Sequence, residues 1–424
     1  MNKIRDTLLL VFLASLALRN VSLGPVNVTQ AMVILCFLSG VFIMFLQKPE
    51  VTVAKLKLIV IFLSLPILYS LVDVLNSAIH DSVETQNTLL KARVGTVVTF
   101  LVPVMLYRPT FCLSRVNQAL VLACILSAIT TILTAFGIYD FAELGGRTNK
   151  NETISIIGDG LPRASGILSD FGDIAILFAF AVPWVVLVPR KFLWQLALVP
   201  VVGLLVLGGF LPLSRNVWLI STATLLLSLI MYQRMNSRRK AFKGLAIGLA
   251  AFVGVGVLLA YSPVIIDTMI SMRAASSGTR ALQYQGAIAV LSSNVLFGSG
   301  VERCIIDNHP VHNAVLLASC RTGLAGGIPF VGLYVANFIG LGYAAFSTSS
   351  SMGIREWAAT VSFFISFCGF SIATMLFPGG ASSASEIFWG LMGLFSAVSI
   401  SALVRNQQQK TEKRATSQFT TALN

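Results

Sequence analysis

The chain has 424 residues, 56% of them hydrophobic and only 11% charged, with a formal net charge of +13. Soluble globular domains carry about 25% charged residues, so this composition, with a mean hydropathy of +0.83, excludes a soluble fold. The basic runs are short and flank apolar stretches, which fits membrane orientation and argues against a nucleic-acid partner.

Apolar runs long enough to cross a bilayer, about 17–22 residues each, recur along the chain. They lie near residues 7–24, 28–46, 57–74, 92–107, 117–138, 167–188, 192–211, 217–233, 244–261, 325–346, 357–376 and 387–404. The expected fold is therefore all-α: one polytopic integral membrane domain over residues 1–404, with about twelve transmembrane helices. A transmembrane barrel would need strands that alternate apolar and polar residues, and these runs do not alternate. The first run, TLLLVFLASLAL, is short. It follows Lys3 and Arg5 and contains Ser15-Leu16-Ala17, so it also has signal-peptide character; a retained signal-anchor is the expectation. The end of the chain, residues 405–424, is polar and reads as a disordered cytoplasmic tail.

Three connections are long, at residues 75–91, 139–166 and 262–324. Alternating the spans from a cytoplasmic N-terminus puts all three outside and leaves the larger share of Lys and Arg inside, as the positive-inside rule requires. The outer set is Arg19, Arg93, Arg147, Arg163, Arg215, Arg273, Arg280, Arg303 and Arg321, with only Lys91 and Lys150 as lysines. Orientation does not distinguish the two residue types, whereas phosphate recognition favours the planar guanidinium fork. The set can anchor lipid headgroups singly; taken together it suits a phosphorylated ligand on the outer face. Cys304 and Cys320 also fall outside, where an oxidising compartment would permit a disulfide.

The 262–324 loop is expected to contain short helices. Thr279 or Ser277 can cap one that runs to about Leu291, with Arg280 at its start, and the Phe-Gly-Ser-Gly at 297–300 then breaks the chain. A second helix is expected from Pro310, capped by Asn308 or His309, to a stop at Gly323. Two of the chain's three histidines, His309 and His312, sit here. Asp307, His309 and His312 are metal-ligand types, but Pro310 forces a turn between the histidines and the arginines repel a cation, so no metal and no cofactor are expected. In a first helical turn, beside arginines, His312 would stay neutral and could act as a base. The same positive surroundings would hold a diphosphate leaving group. Both histidines could equally be interfacial, His309 more so.

These residues carry a resemblance. His312-Asn313, nine residues, Gly323, two more and Gly326 resembles the signature of the O-antigen ligase and polymerase superfamily of bacterial inner-membrane proteins. LSRNVW (213–218), GTRALQYQGAIAVLSSNVLFGSG (278–300) and PRASGILSDFGDIA (162–175) resemble other segments of the family, in the same order, over roughly residues 145–345. The resemblance implies a metal-independent glycosyltransferase that moves a glycan from a polyprenyl diphosphate-linked donor to a sugar hydroxyl on the periplasmic face. His312 would be catalytic, and Arg215 and Arg280 would contact the diphosphate. Arg163, Arg147 and Arg303 would assist, with Asn313 and His309 supporting. Glu386 is a weaker acidic candidate.

The implied partners are the lipid-linked donor, a glycan or lipid A–core acceptor, membrane lipids and polysaccharide assembly proteins. A ligase and an O-antigen or exopolysaccharide polymerase share these motifs. The short link from Gly300 to His312 and the Arg147-x10-Gly158 spacing lean slightly towards the polymerase. A transporter or flippase of polysaccharide precursors is the rival from another class. It would place ionisable residues within the spans, whereas here the charges, Asp73 and Asp173 included, read as lying at span ends.

Overall fold

The computed structural model describes residues 2–18, 21–23, 26–47, 53–108, 113–139, 148–154, 161–164, 166–168, 281–306, 309–311, 313–346 and 386–423, with shorter pieces between 177 and 230 and at 360–365. These residues are mostly helical: α1 (Asn2–Ser15), α2 (Val28–Gln47), α3 (Val53–His80), α4 (Val83–Leu106), α5 (Leu113–Ala135), α6 (281–293), α7 (Ala314–Phe346) and α8 (Glu386–Leu423). Three two-stranded antiparallel ribbons interrupt them: β1 (Ser22–Leu23) with β2 (Val26–Asn27), β3 (Thr148–Ile154) with β4 (Leu161–Ala164), and β5 (Ile305–Ile306) with β6 (His309–Pro310). Among the described residues, six helices are long and apolar enough to cross a membrane: Val28–Leu46, Leu56–His80, Val83–Leu106, Gln118–Ala135, Ala314–Gly342 and Glu386–Val404. The chain is thus an all-α protein of membrane-embedded, multi-pass type. The span expected at 244–261 lies outside the described residues, and those at 167–188, 192–211, 217–233 and 357–376 lie partly outside.

The helices pack through small residues, as apolar helices in lipid must, because burial from water cannot drive them together. Gly393 of α8 lies against the Phe100 backbone of α4, Gly390 against Phe12 of α1, and Gly340 of α7 against Ser399 of α8. Asn337 of α7 donates to Ser396 Oγ of α8 at 3.1 Å, a polar clasp within an apolar interface. Tyr69, Phe330, Tyr334, Phe388 and Trp389 stack edge and face between α3, α7 and α8. At one end of the bundle Arg5 donates to the carbonyls that close α4, and Arg108 pairs with Asp6 through two bonds. The ends of α1 and α4 are thereby tied together, as alternation from the N-terminus requires.

The structure corrects several sequence boundaries. The connection expected at 75–91 does not exist: α3 runs to His80, α4 starts at Val83, and two residues join them as a tight helical hairpin. Ser82 caps α4, its hydroxyl accepting from Thr85 N. Asn76, which fell in the expected connection, and Asp73 and Arg93, expected at span ends, are buried within the bundle instead. The first segment forms a helix only to Ser15 and then a 3-10 turn, short of the 7–24 span; its Leu9, Phe12 and Leu13 are fully buried. The tail after Val404, expected to be disordered, continues α8 to Leu423. Its Gln, Lys, Glu, Arg and Ala are good helix formers, and no Gly or Pro interrupts it, so low hydropathy was a poor guide there.

Gly393→Leu should force α8 away from Phe100 and cost about 1–3 kcal/mol by overpacking. Gly342→Leu, with nothing near its Cβ position, should leave the melting temperature of the detergent-solubilised protein unchanged.

Candidate functional site

The end of the bundle that carries the α3–α4 turn also carries residues 294–306 and 309–311 and the start of α7. The organising feature is a break in α7 at Gly323, where φ is 61° and ψ −160°. A helix broken there leaves carbonyls and amides without intrahelical partners. The loop after α6 supplies them. Ser299 N donates to Cys320 O at 3.0 Å and Gly300 N to Arg321 O at 3.2 Å, while Leu324 N and Ala325 N donate to Val295 O and Leu296 O at 2.9 and 3.0 Å. A side chain at Gly298 would run into the backbone of Arg321 and Gly323, and one at Gly323 into Leu296. Both glycines also have positive φ, so Gly-x-Gly and Gly323 are matched parts of one interlock.

The far side of the loop is fixed by Asp81 of the α3–α4 turn and by Glu302 of the loop itself. Asp81 accepts from Val301 N at 2.9 Å and Glu302 N at 3.0 Å. Glu302 in return accepts from Ser82 N, Ser82 Oγ and Thr85 Oγ1. The Ser82 and Thr85 hydroxyls, with the Ser82 amide, hold the Glu302 carboxyl below the usual carboxylate range. A disulfide joins Cys304 to Cys320, 16 residues apart, and closes a loop containing the β5–β6 hairpin. Closing a loop of about 15 residues removes roughly 3 kcal/mol of unfolded-chain entropy on the chain-entropy account.

Beneath the interlock lies a cluster of charged residues. Arg321, fully buried, forks onto Asp73, with Nε at 3.2 Å from Oδ1 and Nη2 at 2.8 Å from Oδ2. Arg93 donates to the same carboxylate at 2.7 Å and to the Tyr69 hydroxyl, and lies over the Tyr69 ring. Asn76 donates to the Arg321 carbonyl. Arg93 and Arg321, expected among the arginines of the outer side, are therefore structural charges inside the bundle. Asp73 is not at a helix end but seven residues, about 10 Å, before it. One signal could have found this cluster: a carboxylate inside the otherwise apolar LIVIFLSLPILYSLVDVLNS (58–77) is expensive unless it meets a cation.

The expected site residues fall unevenly. Asn313, expected inside this helix and in a supporting role, is instead its cap: its Oδ1 accepts from Leu316 N at 2.9 Å. The helix thus starts at Ala314, not Pro310, because Pro310 pairs with Ile305 in the ribbon and Asn is a better cap than His. His309 lies opposite Ile306 in the register of that ribbon, and Arg163 opposite Asn149 in the register of β4 and β3. Arg303 is exposed on the 3-10 turn after Gly300. Glu386 is buried in the first turn of α8 and accepts from Gln30 at 3.3 Å. His312, Arg215, Arg280 and Arg147 lie outside the described residues, as do Asp307, Asn308 and the caps Ser277 and Thr279. Among the described residues, no three His, Cys, Asp or Glu side chains gather as a metal-ligand group. No family model matches the chain, and no curated protein matches it.

The low Glu302 carboxyl makes its stabilisation present above the unfolded-state value and lost as pH falls through the folded one. The melting temperature of wild type should therefore exceed that of Glu302→Gln at neutral pH, and the two should converge in acid. Gly300→Ala, whose new methyl would meet Asp81 and His80 at positive φ, should lower it at every pH.

Proposed function

We propose that this chain is a membrane glycosyltransferase of the O-antigen ligase and polymerase type, with about twelve spans in a bacterial inner membrane. It would pass a glycan from a polyprenyl diphosphate to a sugar hydroxyl at the end of the bundle bearing the interlock. The observation that carries this reading is the meeting of separate parts of the resemblance. Gly298 and Gly300 close the upstream segment, Gly323 belongs to the His-Asn signature, and the two are bonded backbone to backbone. Asn313 of the same signature caps the helix that the interlock holds. The Cys304–Cys320 disulfide supports a periplasmic placement for this end, since disulfides persist in oxidising compartments.

In the proposed reaction the acceptor oxygen bonds to the anomeric carbon as the bond from that carbon to the diphosphate breaks. His312 takes the acceptor's proton, and the polyprenyl diphosphate leaves as an anion. Arg215 and Arg280 would hold its phosphates, with Arg163, Arg147 and Arg303 assisting and Asn313 and His309 supporting. His312 acts without a metal in this scheme. Ligase and polymerase differ only in the acceptor, a lipid A–core sugar or a second lipid-linked chain.

A second reading has a specific observation in its favour. Asp73, Arg93 and Arg321 are ionisable residues buried within spanning helices, a pattern common in transporters. Surface-polysaccharide profiles of a deletion strain separate the readings. Complementation with wild type should restore the polymer, and His312→Ala or Arg280→Ala should not. Accumulated long lipid-linked chains beside free lipid A–core would indicate a ligase; cores with a single repeat, or loss of a secreted polymer, a polymerase. Full rescue by both variants would favour transport and sink the glycosyltransferase reading.

A further inference from the structure

The transfer scheme makes no use of the buried charges, yet they end on the element that carries its signature. One face of α3 and the turn after it make three successive contacts with the interlock. Asp73 takes the Arg321 fork, Asn76 takes the Arg321 carbonyl, and Asp81 takes the amides of Val301 and Glu302. Arg321 thus contacts α3 through both its side chain and its backbone. The same Arg321 carbonyl accepts from Gly300 N, so the residue touches both halves of the interlock. Between Arg321 and the Asn313 cap lies a single unbroken piece of helix, because the break comes only at Gly323. A shift or rotation at Arg321 is therefore carried to the cap.

The contact is built for orientation as well as charge. A guanidinium fork on both carboxylate oxygens fixes the direction of approach, which an ammonium in the same place does not. The partner is fixed in turn: Asp73 is shared with Arg93, which is held by the Tyr69 hydroxyl and ring. An anchor needed only to keep two helices together in lipid would not require a buried ion pair, since apolar packing does as well or better.

We propose that Arg321, held by Asp73, is a positioning residue for glycosyl transfer: it sets the height and rotation of the first turns of α7. This rests on the glycosyltransferase reading above. Displacing reacting groups by about 1 Å can cost about 10²-fold in rate, so a loosened fork should be visible in turnover before it is visible in folding.

The test uses the purified full chain in proteoliposomes. The donor is the lipid-linked glycan fraction extracted from a deletion strain, quantified by phosphorus, and lipid A–core from the same strain is added as the acceptor a ligase needs. Arg321→Lys keeps the charge and loses the fork. Its kcat should fall by about 10²-fold, its KM for donor should stay within about threefold, and the Cys304–Cys320 disulfide should still form. Asp73→Asn should fall at least as far. Where Asp73→Asn fails to accumulate, Arg321→Lys alone decides. Wild-type kcat in Arg321→Lys, or a loss that vanishes when activity is expressed per disulfide-bonded protein, would overturn the positioning role while leaving the reaction standing. No turnover by wild type would overturn both.

Discussion

A guanidinium buried among apolar helices must be met by a carboxylate and by hydrogen bonds, or its burial costs more than the fold can sustain. Arg321 is met by Asp73 at both carboxylate oxygens, with the side chains of both essentially inaccessible to solvent. Removing one partner of such a pair costs about 3–5 kcal/mol, because the other is left charged in an apolar surround. That requirement fixes α7 against α3 and, through Arg93, against α4. What lies above follows from it. The Gly323 break sits two residues beyond Arg321, its freed backbone groups accept and donate to the 295–300 loop, and Asp81 and the disulfide fasten the rest of that loop.

The architecture also explains why glycines recur at this end. Gly298 and Gly323 occupy positions where any side chain would strike the opposing backbone, and both adopt positive φ. Gly300 leaves room for the Asp81 carboxylate that captures the next two amides. The sequence pairs Phe-Gly-Ser-Gly with Thr-Gly because two chain segments approach at backbone distance, a constraint imposed by packing before any chemistry enters. A glycosyltransferase reading and a structural reading both need these glycines; His312, one of two histidines between the cysteines, is what the first adds.

Much of the helical framework was legible from hydropathy. The spans near 28–46, 117–138, 325–346 and 387–404 coincide with observed helices because apolar length alone defines them. The break at Gly323 and the interruption at 297–300 were legible from glycine. Polar residues inside helices were what misled. Asn76 and Lys91 fell in an expected loop, and Asp73 and Arg93 at the span ends beside it, because a linear reading treats each polar group alone and cannot see that Arg321, far along the chain, neutralises Asp73. The start of α7 was displaced for a related reason: Pro310 has the character of a first-turn residue, but the β5–β6 ribbon claims it. The Cys304–Cys320 pairing was permitted by the sequence and not required by it, since spacing does not determine which thiols meet. Of the site itself, the cap of α7 was expected at Asn308 or His309 and falls at Asn313, because the ribbon takes Pro310 out of the helix.

The most direct measurement is a cryo-electron-microscopy structure of the protein in nanodiscs loaded with the lipid-linked glycan fraction. A glycosyltransferase of this type should show diphosphate density at the start of α7, next to Asn313 and contacted by Arg215 and Arg280, with α7 still broken at Gly323. Diphosphate density at the opposite end of the bundle, or donor threaded past Asp73 and Arg93 with nothing bound near Asn313, would contradict that reading.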